Sequence, residues 1–272
     1  MNQAGMAATF LVVFREALEA GLIIGIILTV LARLGARRYF SHVIGSAVLA
    51  VGLSVGVGLW LGSLADTTQE KAKQILEGVI SLAACGVLTY MFFWMDRQSR
   101  RIKSEIETKV ESAISSRDDW AMMTLSFFAV LREGAETVLF LKAVAIQSGG
   151  AVSWLGGLAG CLVAVGLVAL IFAGGRNVPL KPLFRGTGFL ILLVASGLLA
   201  YGVHELEEAG WIWPVVYPLY NINGLLNEKE GIGSFLKALF GYNGNPSLTE
   251  VCSYWTYLGV ILFFFFRKKE SV

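Results

Sequence analysis

Runs of about 18 or more predominantly apolar residues recur along this chain, and each is long enough to cross ~30 Å of hydrocarbon at ~1.5 Å per residue. Seven spans can be marked with bounds set to within a few residues, at about 7–34, 43–64, 75–95, 120–146, 152–174, 186–204 and, the shortest, 251–266. Charged residues are 15% of the 272 and hydrophobic residues 56%, with a mean hydropathy of +0.66. A soluble domain carries about 25% charged residues. The expected fold is therefore an all-α integral membrane protein with seven transmembrane helices. No basic region precedes the first run, which also exceeds a signal-peptide core, so no cleavable leader is expected.

Orientation follows from the basic residues. One side of the membrane collects Arg33, Arg37, Arg38, Arg97, Arg100, Arg101, Lys103, Lys109, Arg117, Arg176, Lys181, Arg185, Arg267, Lys268 and Lys269. The other collects Lys71, Lys73, Lys229 and Lys237. The richer side is read as cytoplasmic, which sets the N-terminus outside and the C-terminus inside. Five regions result: 1–95, a first three-helix repeat; 96–119, a cytoplasmic linker; 120–204, a second repeat; 205–250, an extracytoplasmic cap; and 251–272, a seventh helix with its tail. In the linker, Ile102, Ile106, Val110 and Ile114 recur every fourth residue, which predicts an amphipathic helix. The cap, with Pro214, Pro218 and Pro246, is expected to hold short helices. Cys85, Cys161 and Cys252 have no disulfide or metal spacing.

Two of the runs carry the same charged pattern. Arg15-Glu16-Ala17-Leu18-Glu19 lies in the first and Arg132-Glu133-Gly134-Ala135-Glu136 in the fourth. On a helix, i and i+3 share a face, and each Arg reaches its second Glu at i+4. Such charges cost several kcal/mol each in lipid, and they face a cavity, a partner or a substrate. One pair can be purely structural; a repeated pattern is harder to read that way.

The motifs stand 117 positions apart, and Cys85–Tyr90 is echoed by Ser196–Tyr201 111 positions later. Runs two and five hold Gly52-x-x-x-Gly56 and Gly156-x-x-x-Gly160, small-residue ridges that permit close helix contact. Three runs per unit make the two copies inverted in the membrane, a plan of secondary transporters with the substrate at the repeat interface. Glu16, Glu19, Glu133 and Glu136 then converge as a hard oxygen cage suited to a hard cation. With Arg15 and Arg132 the site keeps two net negative charges. The arginines hold the carboxylates in place. Residue chemistry leaves another divalent cation such as Mn2+ open, or a non-transporting seven-helix receptor, which the inverted repeat disfavours. With no Gly-x-Ser-x-Gly and no His-Glu-x-x-His, an enzyme is not expected.

Near the outer side, Glu77 is either a gate or an interfacial acid. His204, Glu205, Glu207 and Glu208 are either an entry cluster for the metal or a solvated helix end.

The paired Arg-Glu-x-x-Glu motifs resemble those of the high-affinity iron permease family, the oxidase-dependent iron transporters, on its bacterial, EfeU-like side. Leu76-Glu77-Gly78, Leu88 to Met95, His204-Glu205, Glu208-Ala209-Gly210, Phe240-Gly241-Tyr242 and Pro246-Ser247 extend the resemblance over nearly the whole chain. Ala17 and Ala135 depart from the usual Arg-Glu-Gly-Leu-Glu without touching a carboxylate. The resemblance implies seven spans and a permease taking up Fe3+, or Fe2+ coupled to oxidation. Iron is the substrate, no cofactor is resident, and the Glu of both motifs are essential. It also implies the bacterial inner membrane, with a periplasmic iron-binding protein and a periplasmic haem peroxidase as partners. Membrane lipid is the other partner, and no nucleic acid is expected.

Overall fold

Backbone N–H and C=O groups find no partner in hydrocarbon, so a chain this apolar closes its hydrogen bonds within helices. The structure, a computed structural model, describes residues 3–64, 70–98, 102–116, 118–147, 152–173 and 180–270, and these contain no strand. Arg100, Arg101, Arg117 and Arg176, used above to orient the chain, lie outside the described residues. The helices are α1 (Gln3–Arg33), α2 (Phe40–Leu64), α3 (Glu70–Gln98), α4 (Ile102–Ser115), α5 (Asp119–Gln147), α6 (Trp154–Ala173), α7 (Leu180–Glu208), α8 (Gly231–Phe240) and α9 (Leu248–Glu270).

Among the described residues, five segments are long and apolar enough to cross a membrane: Arg37–Trp60, Lys71–Trp94, Trp154–Ala173, Gly188–Glu208 and Leu248–Arg267. The motif helices α1 and α5 have the length, at 31 and 29 residues, but carry the charged pentapeptides. The surface is apolar where a soluble protein would be charged. Leu49 and Trp60 on α2, Leu158 and Leu170 on α6, and Trp255 and Phe263 on α9 are all exposed. Ser46, Ser54 and Ser126 are buried instead, and Ser46 and Ser126 share a 2.6 Å hydrogen bond between α2 and α5. Polar groups inside and bulky apolar groups outside mark a multi-pass membrane protein.

Each of α1–α3 packs most extensively on a helix of α5–α7: α1 on α6, α2 on α5, and α3 on α7. The motif helices α1 and α5 also pack on each other. Glycines set the closest approaches. A Cβ at Gly160 would stand 2.6 Å from the Phe10 carbonyl oxygen, and one at Gly156 would collide with that of Met6. Thus the Gly156-x-x-x-Gly160 ridge seats α6 on α1, the two running parallel. Gly52 and Gly56, by contrast, meet nothing within 4 Å and face outward. The ridge of α2 is Ala50, Ser54 and Gly58, turned to Gly134 and Val138 of α5. Two serines explain the choice, since their hydroxyls avoid lipid by facing the partner helix. Between the antiparallel α3 and α7, a Cβ at Gly78 would be 3.2 Å from the Gly202 carbonyl oxygen, and one at Gly202 would be 3.1 Å from that of Gly78.

The two ends of the bundle are closed differently. At one end α4 buries Ile106, Val110 and Ala113 against Ile27 and Leu31 of α1, Val43 of α2 and Met122 of α5, with Ile114 alongside. At the other, α8 packs Ala238 and Leu239 on Ala8 of α1 and Val144 of α5. It ends on Gly241 at φ 66°, where the chain passes close against Gly197 of α7. Only a residue without a side chain meets both demands.

Candidate metal centre

Antiparallel packing of α1 and α5 brings the two pentapeptides face to face. Glu16 is 2% exposed, Glu133 4%, Arg15 6% and Glu19 8%. One carboxylate oxygen from each of Glu16, Glu133 and Glu136 lies within 4.8 Å of the others. Glu19 is not in this group; it is held to one side by Arg15, whose Nη2 stands 2.8 Å from its Oε1. Arg15 also contacts Glu16 directly. On the facing helix, Arg132 Nε is 3.0 Å from Glu136 Oε1 and 3.9 Å from Glu133 Oε1.

The Oε2 atoms of Glu16, Glu133 and Glu136 are shut off from solvent and have no hydrogen-bond partner among the described residues. A buried carboxylate oxygen left unpaired costs several kcal/mol, and three together demand a compensating positive group. A hard or first-row divalent ion binds carboxylate oxygen at ~2.1 Å, so ligands around it stand within about twice that of one another. Small side-chain rotations would close the group onto such an ion. The donors are oxygens only, as suits a hard cation.

Trp94 of α3 belongs to this centre too. The Arg132 guanidinium lies 3.8 Å over its ring centroid, a cation–π contact that fixes the arginine from its open side. Sequence reading had Trp94 only as part of the Leu88–Met95 match. Its signal was an aromatic on a neighbouring helix, which means nothing until α3 is placed.

A second polar region opens where the C-terminal end of α7 meets α8 and the start of α9. A cavity of about 530 Å³ there is lined by Tyr201, His204, Glu205, Glu208, Glu228 and Glu250, among others. His204 donates Nδ1–H to Glu250 Oε1 at 3.0 Å, and its Nε2 is 3.4 Å from Glu208 Oε1. His204, Glu207 and Glu250 each bring a ligand atom within 4.8 Å of the others. Glu205 turns instead to the Tyr201 hydroxyl, which also reaches Glu77 Oε2 at 3.4 Å. Glu77 is thus joined to the region through Tyr201, and Glu208 through Gln74, whose Nε2 donates to it at 2.9 Å. Burial works to raise the Glu228 carboxyl, but the Gly244 backbone N–H and the Lys237 ammonium outweigh it, so it sits below its ordinary value.

Glu250 escaped the sequence reading. It forms a capping box at the start of α9: Ser247 Oγ accepts the Glu250 N–H, and Glu250 Oε1 accepts the Ser247 N–H, both at 3.0 Å. The Ser-x-x-Glu spelling predicts that box, but not that His204, 46 positions earlier, shares the carboxylate.

The chain matches the model of the iron permease FTR1 family over residues 6–268. It is 33% identical over 269 residues to the ferrous iron permease EfeU of Yersinia pestis, covering 98% of this chain and 95% of that protein. It is 34% identical over 256 residues to the ferrous iron permease EfeU of Escherichia coli O6:H1, covering 93% of this chain and 92% of that protein. No solved structure matches the chain.

Proposed function

Because the chain belongs to the iron permease FTR1 family, a family of transporters and not of enzymes, we propose that it carries iron across the bacterial cytoplasmic membrane between α1 and α5. The observation that supports this reading most is the group of buried, unpartnered carboxylate oxygens on Glu16, Glu133 and Glu136. The pathway site is these three with Glu19, and Arg15 and Arg132 keep the carboxylates apart and oriented. The entering ion is ferrous. Two positive charges balance the two net negative charges of the site, and ferrous iron is what the relatives are named for.

In this reading α1, α2, α3, α5, α6, α7 and α9 cross the membrane, the first three and the next three being inverted repeats. The helix pairing supports it. An exchange of repeats turns the α1–α6 pair into α5–α2, and both pairs are parallel and extensive. Gly21 of α1 faces Val168 of α6, while Val138 of α5 faces Gly58 of α2, the same contact with glycine and valine exchanged. The N-terminus and the α8 end are outside, and α4 is cytoplasmic. A periplasmic iron-binding protein and a haem peroxidase serve the outer face.

Iron uptake by cells or vesicles carrying Glu16→Gln, Glu19→Gln, Glu133→Gln and Glu136→Gln singly tests the proposal. Changing a residue that only orients a metal ligand already costs about 10–100-fold in affinity or activity, so removing a ligand at Glu16, Glu133 or Glu136 is expected to drop uptake by at least that factor. Uptake that survives all four changes refutes it.

A further inference from the structure

Four carboxylates make a poor judge between iron and the abundant hard cations. Calcium and magnesium are bound by oxygen donors as a rule, whereas an imidazole nitrogen shifts preference toward first-row transition metals. The proposed iron path therefore lacks, at its centre, the donor that would reject Ca2+ and Mg2+.

Such a donor stands in the cavity at the α8 end. His204, Glu207 and Glu250 each offer a ligand atom within 4.8 Å of the others, beside a space of about 530 Å³. The set mixes nitrogen with oxygen, unlike the α1–α5 centre. It is also braced as metal sites are. Glu250, 3% exposed, is fixed by Ser247 N–H at 3.0 Å and by Asn243 Nδ2 at 2.9 Å, and its Oε1 stands 3.0 Å from His204 Nδ1, where an ion would replace the proton the two share. Glu207 is different: its Oε1 is shut off from solvent and has no hydrogen-bond partner among the described residues. Nothing in the hydrogen bonding of the cap requires an acid there. Ile146 of α5, also in the cavity wall, is ten residues beyond Glu136, about 15 Å along the helix. The cavity thus sits at a distance from the central carboxylates yet on the same helix.

We infer that His204, Glu207 and Glu250 form a second metal site, which takes a divalent first-row transition-metal cation and screens out Ca2+ and Mg2+ before the ion reaches the α1–α5 centre. This rests on the iron-path reading for its role, though not for its ligands. Ions that bind here are first-row metals; ions that need only oxygen gain little from the imidazole and leave.

Full-length protein in liposomes, given micromolar Fe2+ with or without millimolar Ca2+, supplies the test. The wild type is expected to lose less than about two-fold of its uptake to Ca2+. His204→Asn should take up iron several-fold more slowly alone, and a further ten-fold more slowly with Ca2+. Glu207→Gln, at a side chain whose Oε1 has no hydrogen-bond partner among the described residues, should behave the same way and guards against a folding defect in His204→Asn. Co2+ titration separates this site from the central one. The visible absorption of bound Co2+ should persist in Glu16→Gln/Glu133→Gln and disappear in His204→Asn and Glu207→Gln. Equal Ca2+ inhibition of wild type and both variants, or a Co2+ spectrum indifferent to them, overturns the inference. Uptake unaffected by Glu16→Gln and Glu133→Gln overturns the iron path instead, while leaving the Co2+ result standing.

Discussion

The two Arg-Glu-x-x-Glu pentapeptides are near-copies in sequence and unlike in their surroundings. In α1 the arginine is sealed in, with a side chain 7% exposed, and it holds both glutamates. In α5 the side chain is 36% exposed, closes tightly on Glu136 alone, and leans on Trp94. The middle residue differs as well. Gly134 is pressed against Ser54, where a Cβ would collide with the hydroxyl, whereas Ala17 packs against the cluster of Leu18, Leu22 and Ala164 with its methyl in place. One copy is therefore a closed clamp and the other a more open one. A shared motif fixes which charges meet; the neighbouring helices fix how firmly each is held.

The largest effect that would sharpen this contrast is expected from Arg15→Gln. It leaves Glu16 and Glu19 buried without the guanidinium that contacts them both, a loss of about 3–5 kcal/mol, read as a collapse of the melting temperature in detergent and of protein in the membrane. Arg132→Gln should cost less, about 1–2 kcal/mol, because its side chain is partly open and part of its hold is the Trp94 ring. Equal losses from the two arginines would break the contrast.

Gly134→Ala comes next. Forcing a methyl into the Ser54 contact is expected to cost about 1–3 kcal/mol, visible in the same melt, and Ser54→Gly should restore most of it in the double variant. Ala17→Gly should change stability by less than Gly134→Ala does. The smallest effect is assigned to Trp94→Leu, about 1 kcal/mol. If Trp94 works through Arg132, the change should be absent in an Arg132→Gln background; additive losses would mean that the ring contributes packing alone.

Much of this was legible in the residues because lipid makes some choices severe. Buried charges must meet, so Glu16, Glu133 and Glu136 were predictable as a group from two pentapeptides. The fourfold spacing of Ile106, Val110 and Ile114 marked the face of α4 that is covered. What the residues could not tell is which face of an apolar helix meets a neighbour. Gly52 and Gly56 have the same spacing as Ser54 and Gly58, and only the serines, which shun hydrocarbon, tip the choice. Glu19 belongs to the same motif and spacing as Glu16, but its place beside Arg15, outside the close group of three, could not be read from the spacing. Glu250 was out of reach, since its partnership with His204 is made by the placement of α8 and α9 and not by any local pattern.

The cross-pairing of helices has a consequence for how such a protein can arise and be taken apart. α1, α2 and α3 each lean chiefly on a helix that follows α4, so severing the chain in its middle yields two pieces with raw, unsatisfied flanks, not two small proteins. Each piece is complete only in the other's embrace.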